Sequence, residues 1–481
     1  MRLKLSSMLA LVALAAAACV AHVCVASARD AQSAWPTGQV IETVACEADA
    51  AQTYTLYLPS AYSKDKRWPI LYAFDPSGRG LRPVNLLREA AERYGYVVVA
   101  SNNSRNGISA QQLNTVINVL WKDTRKRISV DDRRIYAAGF SGGARVANRL
   151  ASSCAGCVAG VISCGAGFPP DIRPDASLQY FFYGTVGWND FNFRELRTLG
   201  RTLDSLGVAH RVEPFDAAHQ WGTKDVLEEA VAWLEVQAMR TGRRAKDDAL
   251  AAAAEAKLAA RLERLNAPAD AYERYRVLRA LATGLKGLRD VTRYETEAGS
   301  LSKSKELREA VAGEEQQITE QRRAAAELTS LGAGLLDASK RAETLSQLRA
   351  KLEGLHKRAD AEADTPARRV ARRTLAHVYA ETYESALYNY VPRGQYAVAA
   401  ANLELASLIY PRNASIEYEL ARMLALDRRG EEALDALNRA VEKGFNDKGA
   451  LAREEAFAPL RPLEKFRKLL ERIDASEKRP G

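Results

Sequence analysis

The sequence has few of the residues that form metal and redox sites. It contains five histidines and six cysteines among 481 residues. Cys154 and Cys157 are spaced as C-x-x-C, but no second C-x-x-C and no histidine pair lies nearby, which argues against a zinc site. A thioredoxin-like redox motif would open a helix, whereas these cysteines follow a predicted one. We therefore expect no metal at this pair.

The sequence also lacks the charge pattern of a nucleic-acid-binding protein. Its formal net charge of +9 is spread thinly, without a basic stripe interleaved with aromatic residues. Hydrophobic residues make up 47% and charged residues 27%, which excludes wholesale disorder and a polytopic membrane protein. We expect no nucleic-acid partner, and at least two domains because the chain is too long for one hydrophobic core.

The first 28 residues have the pattern of an export signal. Two basic residues precede an apolar run over 8–25, which closes on Ala26-Ser27-Ala28. An uncleaved membrane anchor and a lipoprotein modified at Cys19 are the alternatives. We expect a periplasmic or secreted protein without a membrane span after signal removal. The cysteines that then remain predict one or two disulfides with three open pairings: Cys46, Cys154, Cys157 and Cys164.

The composition divides the chain near residue 240. No tryptophan follows that point; the six are Trp35, Trp68, Trp121, Trp188, Trp221 and Trp233. The sequence beyond it is rich in Ala, Leu, Glu, Lys and Arg, which is typical of long amphipathic helices. We predict a signal peptide (1–28), an α/β domain (29–240), a helical or coiled-coil-like spacer (241–374), a helical repeat region (375–472) and a polar tail (473–481).

In the first half, short β-rich runs alternate with helical ones. The predicted strands are 53–58, 69–74, 96–100, 134–138, 158–164, 180–183 and 209–215. Predicted helices include 110–126, 143–151, 193–206 and 225–239. Near-continuous apolar strands alternating with amphipathic helices predict an α/β fold with a mostly parallel sheet that is covered on both faces.

The last hundred residues contain an internal repeat. Ala399, Leu403 and Ala406 are followed 34 positions later by Ala433, Leu437 and Ala440, and each set follows a glycine turn. Small residues on one helix face allow close packing, as in a helix-turn-helix solenoid. The region resembles tetratricopeptide repeats, which implies a protein partner. An ordinary helical bundle is the alternative.

One motif carries the chemistry. Gly139-Phe140-Ser141-Gly142-Gly143 is a G-x-S-x-G placed after a predicted strand and before a helix. A sharp turn there would lift the Ser141 hydroxyl above the sheet, and the helix N-terminus would direct the Gly142 N–H at a tetrahedral intermediate. Ser141 is the predicted nucleophile, and Gly142 is a predicted oxyanion-hole residue.

The partners of Ser141 should follow in the order acid, then histidine. His219 lies in a loop after the last predicted strand, where a base must sit, whereas His210 begins that strand. Asp190 is the first carboxylate after the strand 180–183, with Asp216 as its rival. We predict Ser141, His219 and Asp190 as the catalytic residues.

A second oxyanion donor should come from the loop after strand 69–74. That loop begins Asp75-Pro76-Ser77, and Pro76 has no N–H. The backbone amides of Asp75 and Ser77 are therefore the candidates. We take Asp75 as the oxyanion-hole residue of this loop.

Together these residues resemble the α/β-hydrolase superfamily over about residues 40–240. Within it, the segment Leu56-Tyr-Leu-Pro-Ser60, the elbow at Ser141 and His219-Gln-Trp221 resemble the branch of polyhydroxybutyrate depolymerases, feruloyl esterases and dienelactone-hydrolase-like proteins. The resemblance implies hydrolysis of small or polymeric carboxylic esters through an acyl-enzyme, without a metal or organic cofactor. A serine peptidase on the same fold and an inactive scaffold are the alternatives.

Overall fold

The structure is a computed structural model that describes residues 35–267 and 270–477. The predicted export signal lies outside the described residues. Within them, eight strands form one sheet: β1 (Val40–Ala45), β2 (Thr53–Tyr57), β3 (Trp68–Phe74), β4 (Val97–Ser101), β5 (Val130–Phe140), β6 (Gly160–Cys164), β7 (Phe181–Gly187) and β8 (His210–Phe215). Their order across the sheet is β1-β2-β4-β3-β5-β6-β7-β8.

Helices cover both faces of this sheet. They are α1 (Leu81–Tyr94), α2 (Ala110–Arg127), α3 (Gly142–Ser153), α4 (Phe193–Ser205) and α5 (Lys224–Arg240). One hydrophobic core forms between the sheet and α2, α3 and α4, and a second forms between the sheet and α1 and α5. From β4 through β8 all neighbouring strands are parallel, while β1 and β2 are antiparallel additions at one edge. The predicted α/β class is confirmed.

The second half is helical, as predicted. Its helices are α6 (Asp248–Glu263), α7 (Ala271–Gly284), α8 (Thr292–Leu301), α9 (Lys305–Gly332), α10 (Arg341–Ala359), α11 (Pro366–Glu384), α12 (Tyr396–Ile409), α13 (Ala414–Leu426), α14 (Gly430–Glu442), α15 (Lys448–Arg453) and α16 (Glu464–Glu477). A π-helical turn, Ser385–Tyr390, extends α11. The repeated alanines and leucines of α12 and α14 are all buried, and four of the six (Ala399, Leu403, Ala433 and Leu437) share one core; their assignment to a repeat family stays a prediction. None of the helices within the described residues is long and apolar enough to cross a bilayer.

The cysteines divide into one bonded pair and two buried thiols. Cys154 and Cys157 form a disulfide at the end of α3, with a Cα–Cα distance of 5.6 Å. Cys46 and Cys164 are buried as free thiols. Burial raises the pKa of the Cys164 thiol to about 12, so this group stays protonated and unreactive near neutral pH.

A buried ion pair joins the helical half to the α/β domain. The Arg197 guanidinium on α4 donates from Nε and Nη2 to the two carboxylate oxygens of Glu314 on α9, at 3.0 and 2.8 Å. Arg197 also lies over the ring of Tyr272 on α7, 4.8 Å from its centroid. The Arg197 side chain is 2% exposed and that of Glu314 is 12% exposed. Arg197 therefore links two helices of the second half, α7 and α9, to the sheet domain.

Removing one partner of this pair should destabilise the protein. Arg197→Ala removes both hydrogen bonds to the buried Glu314 carboxylate and leaves it only the Arg201 guanidinium, with Nη1 3.9 Å from Oε1. Breaking a buried pair costs up to about 3 to 5 kcal/mol. The double variant Arg197→Met with Glu314→Leu removes both charges together and should cost less than the single change. Chemical denaturation of the three proteins measures the free energy of unfolding. A double variant as unstable as Arg197→Ala would show that the loss of stability does not come from the Glu314 carboxylate left without Arg197.

Candidate active site

Ser141 lies at a strained turn between β5 and α3. Its backbone has φ 52° and ψ −121°, in a region where a residue with a side chain is strained. The Ser141 N–H donates to the carbonyl of Cys164 at the end of β6, at 2.8 Å. α3 begins at the next residue, so the first amides of that helix lie beside the serine. Strand, turn and helix together place the hydroxyl at the carboxyl edge of the parallel sheet.

The glycines of the motif are required by close approach of backbone to backbone. A Cβ at Gly139 would lie 2.1 Å from the carbonyl oxygen of Gly143, and a Cβ at Gly143 would lie 2.0 Å from that of Phe74. Both distances are far below any real contact between a side chain and a carbonyl. The turn can therefore form only because these two positions have no side chain.

His219 lies in the loop between β8 and α5 and contacts Ser141. Its Nε2 lies 2.9 Å from Ser141 Oγ. Its Nδ1 lies 2.9 Å from each carboxylate oxygen of Asp190. A carboxylate only accepts, so Nδ1 carries the proton and Nε2 accepts from the serine hydroxyl. The ring packs between Phe140 and Phe191, with centroid distances of 4.6 and 4.1 Å.

Asp190 follows β7 and is fully buried. Its Oδ1 also accepts from the backbone N–H of Asn192, at 2.7 Å. β7 continues to Gly187, four residues past the strand end predicted from the sequence. The loop from the strand to the carboxylate is therefore short, and Asp190 reaches His219 without an extended connection.

The rival residues named from the sequence lie away from the serine and histidine. Asp216 is exposed. His210 begins β8, and its Nδ1 lies 2.9 Å from the carbonyl of Val208. Of these candidates, the structure brings only His219 and Asp190 into a hydrogen-bonded chain with Ser141.

The side chain of Asp75 holds the loop after β3 in place. Its carboxylate is buried and accepts from the indole N–H of Trp221 and from the backbone N–H of Ser77, each at 2.9 Å. The N–H of Gly78 donates to the Asp75 carbonyl at 3.1 Å. Pro76 has no N–H and the amides of Ser77 and Gly78 are engaged, so Asp75's own N–H stays a candidate donor for a ligand. Its role in an oxyanion hole stays a prediction.

The helical half packs directly on the loop that holds Asp190. Arg373 on α11 donates from Nη1 to the carbonyl of Trp188 at 3.2 Å, and its guanidinium lies 4.4 Å from the ring centroid of Phe193. Arg369, one turn earlier, lies 4.7 Å from the ring centroid of Trp188. Burial lowers the pKa of Arg373 to about 10, which leaves it charged at neutral pH.

The same helix forms one wall of the cavity that contains Ser141. This cavity has a volume of about 320 Å³. The α/β domain lines it with Asn106, Ser141, Gly142, Arg145, Phe191 and Asn192, and α11 lines it with His377, Ala380, Glu381 and Glu384. The sequence analysis placed every candidate catalytic residue in the first half; the structure adds four residues of the second half to the lining of the cavity that contains Ser141.

Asn106 is a cavity residue that the sequence analysis did not single out. A Cβ at Gly142 would lie 1.9 Å from Asn106 Oδ1, so the carboxamide packs directly over the Gly142 backbone. Its backbone N–H donates to the carbonyl of Pro76 at 2.8 Å, which fixes its loop against the loop after β3. The sequence feature that could have identified Asn106 is its position just after a parallel strand, β4, at the edge where ligands bind in such sheets.

Comparison with known proteins found matches among solved structures. No protein-family model and no curated protein matches it. The S-formylglutathione hydrolase FrmB of Staphylococcus aureus is 14% identical over 38% of this chain and 90% of its own, with a TM-score of 0.33. The feruloyl esterase module of Clostridium thermocellum is 16% identical over 40% of this chain and 87% of its own, with a TM-score of 0.32. The esterase LipW of Mycobacterium marinum is 19% identical over 41% of this chain and 82% of its own, with a TM-score of 0.33.

Proposed function

We propose that this protein is a serine hydrolase that cleaves carboxylic esters through an acyl-enzyme. The observation that carries the proposal is the chain of contacts from Ser141 Oγ to His219 Nε2 and from His219 Nδ1 to Asp190, each at 2.9 Å. A weakly acidic hydroxyl becomes a nucleophile when an adjacent base takes its proton, and this arrangement supplies the base. The strained turn at Ser141 supports the same role.

The reaction would proceed in two acyl transfers. Ser141 Oγ attacks the ester carbonyl carbon while His219 Nε2 takes the hydroxyl proton, and Asp190 stabilises the imidazolium without becoming protonated. The carbonyl oxygen gains negative charge beside the Gly142 N–H at the start of α3. The C–O bond then breaks, His219 protonates the departing alcohol, and Ser141 keeps the acyl group. Water attacks the acyl-enzyme by the same steps and releases the acid.

We also propose that the protein acts after export. The N-terminal sequence pattern and the Cys154–Cys157 disulfide both fit an oxidising compartment. A protein partner of the repeat-like helices is proposed on the sequence pattern alone. Edman sequencing of the protein recovered from the extracytoplasmic fraction should begin after Ala28; an intact N-terminus on cytoplasmic protein would contradict export.

Turnover of a nitrophenyl acyl ester by the purified mature protein tests the proposed activity. An acyl-enzyme predicts a rapid burst of nitrophenol, equivalent to one per active site, before the steady rate when deacylation is the slower step. The same assay with matched nitroanilides compares esters with amides. Faster turnover of the anilides would favour a serine peptidase, and no turnover of either would favour the inactive scaffold.

Asn106 should contribute to stabilising the oxyanion. Its carboxamide lies over Gly142 in the same cavity as Ser141, with Oδ1 nearer to Gly142 than Nδ2, and a turn of the amide would direct the Nδ2 donor toward this point. Loss of one oxyanion donor typically lowers kcat about a hundredfold or more. Asn106→Asp keeps the size of the side chain but replaces the N–H donor by a negative charge. We therefore expect a fall in kcat of about a hundredfold with little change in KM.

Asn106→Ala serves as the companion variant. It removes the donor without adding charge, and its kcat should fall by a smaller factor than that of Asn106→Asp. Wild-type kcat in both variants would assign the second donor to the Asp75 backbone N–H alone.

A further inference from the structure

The cavity around Ser141 contains an acidic residue that has no partner there. The side-chain carboxylate of Glu384, at the end of α11, makes no hydrogen bond or ion pair with another residue in the described ranges 35–267 and 270–477. The residue is exposed to solvent at the edge of the cavity. Burial by the surrounding protein raises the pKa of its carboxyl, against the lowering influence of His219 and Arg145. Its field therefore reaches the catalytic histidine from across the cavity.

The nearest cation of the cavity is already neutralised. Arg145 donates from Nη1 and Nη2 to the two carboxylate oxygens of Glu195, each at 2.9 Å, and from Nη1 to the carbonyl of Phe168. This bidentate pairing holds the guanidinium against Glu195, and only the longer-range influence of its charge reaches Glu384. Arg145 is thus held by Glu195 and leaves Glu384 open to a ligand.

The other groups of the α11 wall do not balance the charge of Glu384. Glu381 lies one turn earlier in the same wall, with Oε2 3.9 Å from His377 Nε2. Burial lowers the pKa of His377. The negative charge of Glu381 raises this pKa, and the positive charge of Arg194 lowers it further. The net lowering leaves His377 neutral near pH 7. Two carboxylates therefore face this cavity, and among its described lining residues the one formal cation, Arg145, is paired with Glu195.

We propose that Glu384 forms a subsite for a positively charged ammonium group of the ester substrate. The inference rests on the proposed hydrolase function, because it assigns the substrate class to that same cavity. The carboxamides of Asn106 and Asn192 leave this part of the cavity polar, and with a volume of about 320 Å³ it holds a short polar group rather than a long acyl chain. A cationic group bound there would lie beside a carboxylate that no side chain of the described residues pairs, and the opposite charges attract.

Isosteric pairs of esters test this subsite. On the acyl side, the nitrophenyl esters of γ-trimethylammoniobutyrate and of its neutral carbon isostere differ only in charge. On the alcohol side, acetylthiocholine and dimethylbutyl thioacetate form the matching pair. A solvent-accessible carboxylate should favour the cationic member of at least one pair by about threefold to tenfold in kcat/KM. The pair that responds identifies which side of the ester faces Glu384.

Substitution of Glu384 should remove this preference without removing activity. Glu384→Gln should bring the kcat/KM ratio of the responding pair to about one, because the ratio cancels any change in kcat/KM that both esters share. Glu384→Lys should invert the preference. The matched control is Glu362→Gln, which makes the same change of charge at an exposed position before α11 and should keep the wild-type ratio.

The outcomes separate the subsite from the proposed function. Equal turnover of both members of each pair by the wild type, or an unchanged preference in Glu384→Gln, would overturn the subsite while the hydrolase function stands. No turnover of any ester would overturn the proposed function and the subsite with it.

Discussion

Ser141→Ala should lower the kcat for nitrophenyl esters by about a millionfold, because removal of a serine nucleophile from a working triad costs that much. The remaining rate would come from substrate binding and the oxyanion donors, which persist in the variant. Alanine keeps the Cβ of serine, so the backbone strain at position 141 is the same in both proteins. The loss can therefore be assigned to the missing hydroxyl, measured as steady-state turnover with the burst of product recorded at the same time.

Thermal unfolding of Ser141→Ala provides the control for this prediction. Its midpoint should lie close to that of the wild type, since the substitution removes one hydrogen bond, between Ser141 Oγ and His219 Nε2, at a partly exposed site. An alanine variant that folds normally and keeps more than about a hundredth of wild-type kcat would contradict the nucleophile assignment.

Asp190→Asn should lower kcat by about ten thousandfold, the loss seen when an amide replaces a triad carboxylate. The carboxylate of Asp190 accepts from His219 Nδ1 and so keeps the proton off Nε2, which faces Ser141. An asparagine can turn its NH2 group toward Nδ1 and favour the opposite tautomer, in which Nε2 can no longer accept the serine proton. The size of the side chain is unchanged, so the measurement isolates the tautomer and the charge.

Asp216→Asn is the matched control for this change. Asp216 is exposed in the same loop as His219, and its substitution should alter kcat by no more than about twofold. A large loss of kcat in Asp216→Asn, together with a normal kcat in Asp190→Asn, would assign the catalytic acid to Asp216 instead.

The sequence predicted the residues whose positions depend on local structure. Ser141 could be identified from the sequence because glycines, a strand and a helix in succession permit one sharp turn. His219 could be identified because the last strand of the sheet must be followed by the loop that reaches the serine. Asp190 was predicted from chain order, although the end of β7 was placed too early because Gly184 and Gly187 resemble turn residues. The edge strand β1 was missed, since three of its six residues are exposed or polar.

The position of the helical half could not be predicted in the same way. Glu384 is more than two hundred positions from Ser141 in the sequence, and periodicity defines a helix without stating where it packs. Its location follows from long-range contacts such as Arg373 with the Trp188 carbonyl and Arg197 with Glu314. Each contact joins a charged residue of one half to a group of the other, and no local pattern identifies such pairs.

Covalent labelling of the full-length mature protein by a fluorophosphonate tests the central claim most directly. Trypsin should release residues 135–145 as one peptide whose only serine is Ser141. We predict that mass spectrometry will find one phosphonyl group per chain on this peptide, and none after His219→Ala at the same reagent concentration, because the base activates the hydroxyl. Labelling at another serine, or no labelling of the folded protein, would contradict the assignment of Ser141 as an activated nucleophile.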